Sequence, residues 1–288
     1  MKRNVILSAA LVFCAVSIAS AQTDCSLFFK KDGVQLSEIS VSQKGSYKTV
    51  GHHGPAVENL QMALRLYFND SGAIDVYSKK KDALELAKYR WYPSEEQQKE
   101  EGAGVDEYYV GKTFGLGGIA IVDNGKLVRP VAKSGRSARV GKTADGSFAE
   151  LTSYGIELSD GPVDLTLRID VRDGERWATV TASASRKVRF ATGVNLPDGA
   201  QVNIGRNEIA VWGTHPADVS RNPLPIGAAL RFKPCLFSRP VKERNQIRID
   251  SGRRKSIRTE VLSASAAQVL ASQGGSTAEN WMEYLKNL

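Results

Sequence analysis

The chain has 288 residues, 42% of them hydrophobic, and a formal net charge of +8. Its three cysteines are too few for a Cys-rich metal centre. No apolar run reaches the roughly 20 residues that span a bilayer comfortably.

Residues 1–21, "MKRNVILSAALVFCAVSIASA", put Lys2 and Arg3 before an apolar run from Val5 to Ile18 and end on Ala19-Ser20-Ala21. That order predicts a signal peptide cleaved after Ala21, and hence a periplasmic or secreted protein, with a bacterial periplasm as the expected compartment. Phe13 before Cys14 argues against a lipid anchor. Processing removes Cys14 and leaves Cys25 and Cys235, an even pair in an oxidising compartment, where they either bridge or stay free. Residues 22–288 are expected to form a single domain, because no Pro/Gly/Ser-rich linker divides them.

The segment "GHHGPAVENLQMALRLYFNDSGAIDVYSK" (51–79) sets His52 and His53 in a Gly/Pro bend. From Ala56 onward, Leu60, Met62, Leu64, Leu66 and Phe68 alternate with Asn59, Gln61, Arg65, Tyr67 and Asn69, which predicts one strand with one buried face. A three-residue loop Asp70-Ser71-Gly72, with Gly72 left-handed, would pair Tyr67 with Asp75 and Arg65 with Tyr77. The polar face would then carry Asn59, Gln61, Arg65, Tyr67, Asp75 and Tyr77. Such groups bind sugar hydroxyls and carboxylates, and they serve equally as a covered face satisfied internally.

Further along, "ALELAKYR" near residues 83–90 predicts a short helix and the polar stretch 93–104 an exposed loop. Gly115, Gly117 and Gly118 precede a strand pattern where a phosphate loop needs a helix, so a nucleotide site is rejected. Asp-Gly or Asn-Gly pairs at 124–125, 145–146, 160–161, 173–174 and 198–199 punctuate alternating segments, the layout of antiparallel β-structure. The clearest strand has Val163, Leu165, Leu167, Ile169 and Val171 on one face. His215 lies in a second Gly/Pro loop. Between Arg239 and Arg258, eight Lys/Arg face two Asp/Glu, read as a basic hairpin around Asp250-Ser251-Gly252. Without interleaved aromatics it does not read as a nucleic-acid site. Ser276 and Glu279 form a capping-box pattern for a C-terminal helix.

If the two histidine loops meet over the polar face, His52 or His53 would serve as general base, with His215 contributing from the second loop. Tyr77 would be the proton donor and Arg65 the clamp for a substrate carboxylate. Asn59, Tyr67, Asp75 and Asp106 would complete substrate binding. That set suits β-elimination at a uronic acid, where a cation stabilises the enolate-like charge. Paired carboxylates for glycoside hydrolysis can be drawn from Glu58, Asp75, Asp106 and Asp218, with nothing in the spacing to select a pair. The histidines with Glu58 or Asp218 fit no zinc signature, and no metal or other cofactor is expected. No G-x-S-x-G elbow occurs.

"GHHGPAVEN" and "LRLYFNDSGAIDVYSK", followed by "GVDEYYVGKTFGLGGIAI", "RSARV", "SYGIEL" and "ATGV", resemble a bacterial family of unassigned function. Its members are exported and often encoded beside genes for degrading pectin and other uronic-acid glycans. The resemblance runs with gaps from about Gly51 to Phe232, and "KYRWYPSEEQQKEEGAG" departs from it. It implies a large antiparallel β-sandwich similar to galactose mutarotases, with few short helices, and a carbohydrate context. The expected function is therefore an exported protein acting on an acidic, pectin-like glycan, a lyase ahead of a hydrolase. The alternatives are a non-catalytic carbohydrate-binding sandwich and a structural periplasmic protein.

Overall fold

A computed structural model describes residues 22–42 and 48–288. The expected signal peptide lies outside the described residues. Antiparallel strands dominate, as the turn spacing predicts, in two sheets. The smaller has four strands, β1 (Thr23–Ser26), β3 (Ala56–Asn59), β4 (Ala63–Leu66) and β5 (Ile74–Tyr77), adjacent in that order.

The larger has twelve strands. At its centre lie two long ones, β11 (Ala178–Asn195) and β16 (Gln246–Ser265). On one side of them come β10 (Val163–Arg172), β9 (Gly146–Ile156), β8 (Arg136–Thr143) and β2 (Glu38–Val41). On the other come β14 (Ile226–Arg231), β13 (Glu208–Gly213) and β12 (Gln201–Ile204). Off this path, β6 (Leu116–Asp123) pairs with β11 and with β7 (Lys126–Val128), and β15 (Val241–Lys242) pairs with β16.

The core lies between the sheets. Val57, Leu64, Leu66, Ile74 and Val76 of the small sheet join Leu151, Leu167, Ile169, Val180 and Ile119 of the large one in a single buried cluster. Period-two alternation sends the intervening residues to the other face of the large sheet. There Ala210, Trp212, Ala229 and Leu262 pack under Trp281 and Leu285. Trp281 belongs to the C-terminal helix Ala278–Lys286, which Thr277 caps through Asn280, one residue after the expected Ser276 box. A preceding helix, Ala266–Gln273, not anticipated above, is capped by a Ser265/Gln268 box. Among the described residues no helix is long and apolar enough to cross a membrane.

Local chemistry alters four expectations. First, residues 56–69 do not form one strand. The Asn59 side chain accepts from the N–H groups of Gln61 (3.0 Å) and Met62 (2.7 Å), turning the chain back at once. The parity of the buried face flips across that turn, so Val57 faces the core while Glu58 lies on the face shared with Arg65. Second, in the next hairpin Arg65 pairs with Asp75 and Ala63 with Tyr77, two residues away from the expected register. A shift of two keeps every side chain on its face, and Gly72 is left-handed as expected (φ +66°). Third, Arg239–Arg258 is not a hairpin at Gly252: β16 runs straight through, and Asp250 is ion-paired with Arg248 (3.0 Å) and Arg189 (3.4 Å). Fourth, the loop expected at 93–104 contains a short helix, Glu95–Glu100, with a Ser94/Gln97 capping box. The helix near 83–90 is a single turn, Leu86–Tyr89.

Cys25 and Cys235 are free thiols, one partly buried and one exposed. The glycines at 115–118 belong to the sheet junction. A Cβ at Gly115 would sit 1.8 Å from the Ile74 carbonyl oxygen, so only glycine permits that approach, and its φ of +68° suits the same residue.

A buried ion pair ties the small sheet to the segment that walls the site. Lys79 donates to the Glu58 carboxylate (2.5 Å) and to the carbonyls of Asn59 and Ala83, while Glu58 accepts from the N–H groups of Glu85 and Leu86. Removing the cation alone leaves a desolvated carboxylate. Lys79→Met is expected to lower unfolding free energy by about 3–5 kcal/mol, and Glu58→Gln in the same chain to restore part of it. Urea unfolding of the wild type and the two variants checks this, and a double variant weaker than Lys79→Met would contradict it.

Candidate active site

Two adjoining segments in left-handed backbone frame one end of the small sheet. His52 (φ +53°) and His53 (φ +55°) precede β3; Arg90 (φ +49°) and Trp91 (φ +76°) follow the turn at Leu86–Tyr89. Among the described residues the only other non-glycine with positive φ is Asn124, in an Asn-Gly turn. Left-handed backbone at ordinary residues costs about 1–2 kcal/mol each, so the surrounding packing must hold it.

Between these segments lies Arg65, 2% exposed. Its Nε (2.8 Å) and Nη2 (2.6 Å) donate to Asp75 Oδ2, and Nη2 also donates to Asp106 Oδ2 (2.9 Å). Nη1 donates to Tyr92 Oη (2.8 Å) and to the His52 carbonyl (3.3 Å). The guanidinium also lies against the rings of Trp91 (4.5 Å), Tyr67 (5.0 Å) and Tyr92 (5.7 Å). Tyr67 Oη donates to Asp75 Oδ2 (2.7 Å), and Trp91 Nε1 donates to Asp106 Oδ2 (3.1 Å).

One cation therefore serves two carboxylates. Burial and the charge of Asp75 raise the pKa of Asp106 to about 8, against the pull of Arg65, so Asp106 keeps its proton at neutral pH. Its Oδ2 is fixed by Arg65 and Trp91; no protein group bonds its Oδ1 among the described residues.

Asp106 lines a cavity of about 250 Å3 with His53, Arg65, Tyr67, Tyr92, Glu107 and Tyr109. The loop carrying Pro216, Asp218 and Val219 also lines it. Tyr92 and Tyr109 are 45% and 44% exposed, broad aromatic surfaces beside the acid. The charge of Asp218 contributes to the raised pKa of Asp106, and burial raises that of Glu107.

The fold thus gathers His53, Arg65, Tyr67, Asp75 and Asp106, with Asp75 buried beneath the others, and separates the rest. Arg65 is not a substrate clamp: two carboxylates, two phenols and a carbonyl already take its donors. Tyr77 is not the proton donor of this cavity. Trp91 stands between it and Arg65, with ring centroids 5.3 Å apart, and burial followed by the nearby Glu85 charge pushes its pKa up. His52 is 3% exposed, wedged against Phe28, with Nε2 3.1 Å from Ser26 Oγ. Burial and the charge of Arg65 lower its pKa to about 3, so it is neither accessible nor basic. Asn59 braces its turn and donates to the Glu175 carbonyl (2.8 Å), outside the cavity. His215 packs on Tyr108 and lines a neighbouring cavity; burial lowers its pKa to about 4. The His53 pKa is lowered by burial and then by Arg65, which leaves a neutral imidazole on the wall.

Tyr92 and Tyr109 line the cavity and Trp91, buried, bonds its acid, although none of the three stands out as a site residue in the sequence. For Trp91 and Tyr92 the signal lies in the aromatic run of "KYRWYPS", set just before a polar stretch.

The chain belongs to the DUF4861 family, a domain of unknown function, whose model matches residues 13–288. No curated protein matches it. Among solved structures, the chain is similar to a 4-alpha-glucanotransferase from Thermococcus litoralis, at 9% identity and a TM-score of 0.34, over 74% of this chain and 40% of that one. The chain therefore spans less than half the length of that protein.

The raised Asp106 pKa makes a stability prediction. Between about pH 6.5 and 8 the folded chain keeps a proton that the unfolded carboxyl has released, so stability falls as pH rises, by up to about 1.4 kcal/mol per unit. His52 and His215, with lowered pKa values, act in the opposite sense and only below about 6.5. Asp106→Asn should flatten the profile within that window, as read by denaturant unfolding at several pH values. An unchanged slope in the variant would mean that Asp106 is ionised.

Proposed function

We propose that this member of the DUF4861 family is an exported glycan-cleaving enzyme acting on a pectin-like, uronic-acid-containing chain, with Asp106 as its general acid. The observation that carries this reading is the state of the Asp106 carboxyl. Burial and the Asp75 charge push its pKa up to about 8, one oxygen is held by Arg65 and Trp91, and among the described residues no protein group bonds the other, in a cavity lined by two half-exposed tyrosines. Aromatic surfaces suit the apolar faces of sugar rings, and a positioned acid suits a glycosidic oxygen. The basic, apolar and small-residue order of residues 1–21 supports export.

In the step proposed, Asp106 gives its proton to the leaving oxygen as the anomeric carbon–oxygen bond breaks. A water forms the new bond to that carbon and passes a proton to Asp218, which lines the same cavity. Arg65 holds Asp106 in place and shares its charge with Asp75, while the neutral His53 is suited to hydrogen-bond a sugar hydroxyl. Hydrolysis ranks ahead of elimination here, reversing the order the residue types suggest. Elimination needs a cation on the reacting carboxylate, and Arg65 is already committed to Asp75 and Asp106.

A panel of pectic oligosaccharides tests the reading by two signals: new reducing ends, and absorbance of an unsaturated uronate. Reducing ends without the absorbance are expected, with the rate falling above about pH 8. Asp106→Asn should lower kcat by at least about 100-fold with binding retained. Strong absorbance would restore the lyase. Saturable binding with no product from wild type would make the protein a binding module.

A further inference from the structure

A second cavity, of about 210 Å3, lies beside the first and shares Tyr109, Val110, Gly111 and Pro216 with it. The shared wall is closely built. Gly111 is left-handed (φ +54°), and a Cβ there would lie 2.8 Å from the Tyr109 ring, so that ring rests against the turn that leads to Lys112. The Lys112 carbonyl accepts from Arg129 Nη2 (2.5 Å), which fixes the backbone of the same turn.

The two cavities differ in charge. The walls of the first bear Asp106, Glu107 and Asp218, and its one guanidinium is already paired. The second has Lys112 and Arg244 against Asp198, and neither cation joins an ion pair among the described residues. Its deeper polar groups are closed to a ligand. Asn195 accepts from Thr113 and donates to the Tyr109 carbonyl (2.7 Å), and His215 is packed on Tyr108. Lys112 and Arg244 are both exposed, with Asn245 beside Arg244 on the same wall.

We infer that this second cavity is a subsite for an anionic sugar unit, carrying a carboxylate or a sulfate ester, in the glycan whose neighbouring bond is cleaved at Asp106. The inference rests on the glycan reading above and adds where the charge is read. Catalysis and charge recognition fall on opposite sides of Tyr109, so charge is read without adding to Asp106 a second cation beyond Arg65, which Asp75 already shares. Lys112 and Arg244 are specificity residues here, acting on a unit that does not react.

Calorimetric binding to the full mature chain tests this with three probes: trigalacturonate, its methyl ester, and a sulfated galactotriose. The acid is expected to bind at least about tenfold more tightly than the ester at low salt, with the advantage shrinking as salt rises. Lys112→Gln with Arg244→Gln should bring that ratio close to one, and Lys112→Arg should keep it. Preference for the sulfated probe over both others would assign the subsite to sulfate rather than carboxylate. Equal binding of acid and ester by wild type, or a ratio that survives the double substitution, overturns the subsite. Cleavage of the ester that is lost in Asp106→Asn would leave the catalytic reading standing in that case. Absence of both binding and cleavage with every probe removes the two together.

Discussion

One guanidinium shared by two buried carboxylates is the constraint on which the site depends. Arg65 compensates one negative charge, and in a desolvated environment a second uncompensated carboxylate is too costly to keep. Asp106 therefore retains a proton, while Asp75 keeps the short contacts to Nε and Nη2 and accepts from Tyr67. The cavity meets that system at Asp106, Arg65 and Tyr67, and Asp75 does not line it. Chemistry at this site follows from a charge count before it follows from any residue's identity.

Holding such a cluster takes support from every side. Trp91 covers the guanidinium and bonds Asp106, and its left-handed backbone is fixed from below by the single helical turn that Glu58 and Lys79 anchor. His52, although remote from the cavity, closes the other side through its carbonyl on Arg65 Nη1. The strained pairs at 52–53 and 90–91 thus face each other across one cation. Strain at ordinary residues persists where the surroundings over-determine it, and here they do so through hydrogen bonds and ring contacts.

The sandwich anchors this cluster, whereas the loop that completes the cavity lies outside the small sheet. Arg65 and Asp75 are cross-strand partners in the small sheet, whose opposite face is locked into the main core by Leu64, Leu66, Ile74 and Val76. Asp218 and Pro216 come from the connection after β13, at a distant place in the sequence. A cleft between a fixed floor and a loop wall is a common setting for ligand sites.

Much of the architecture was legible in the chain. Gly125, Gly161, Gly174 and Gly199 of the Asn-Gly and Asp-Gly pairs take positive φ between successive strands because a tight turn demands it locally, and the alternation from Val163 to Val171 maps onto the buried face of one strand because a two-residue period is local too. The co-facial placement of Arg65, Tyr67 and Asp75 was also readable, since a register error of two leaves faces unchanged. Only the tertiary structure decided what those residues face. The turn at Asn59 flipped parity and sent Glu58 to Lys79, and Trp91 arrived from a segment without strand periodicity to separate Tyr77 from the cavity. Side-chain type and spacing determine which groups share a face, but whether a guanidinium is free or already paired depends on carboxylates 10 and 41 residues away, and on the exclusion of water around them, which no local pattern records.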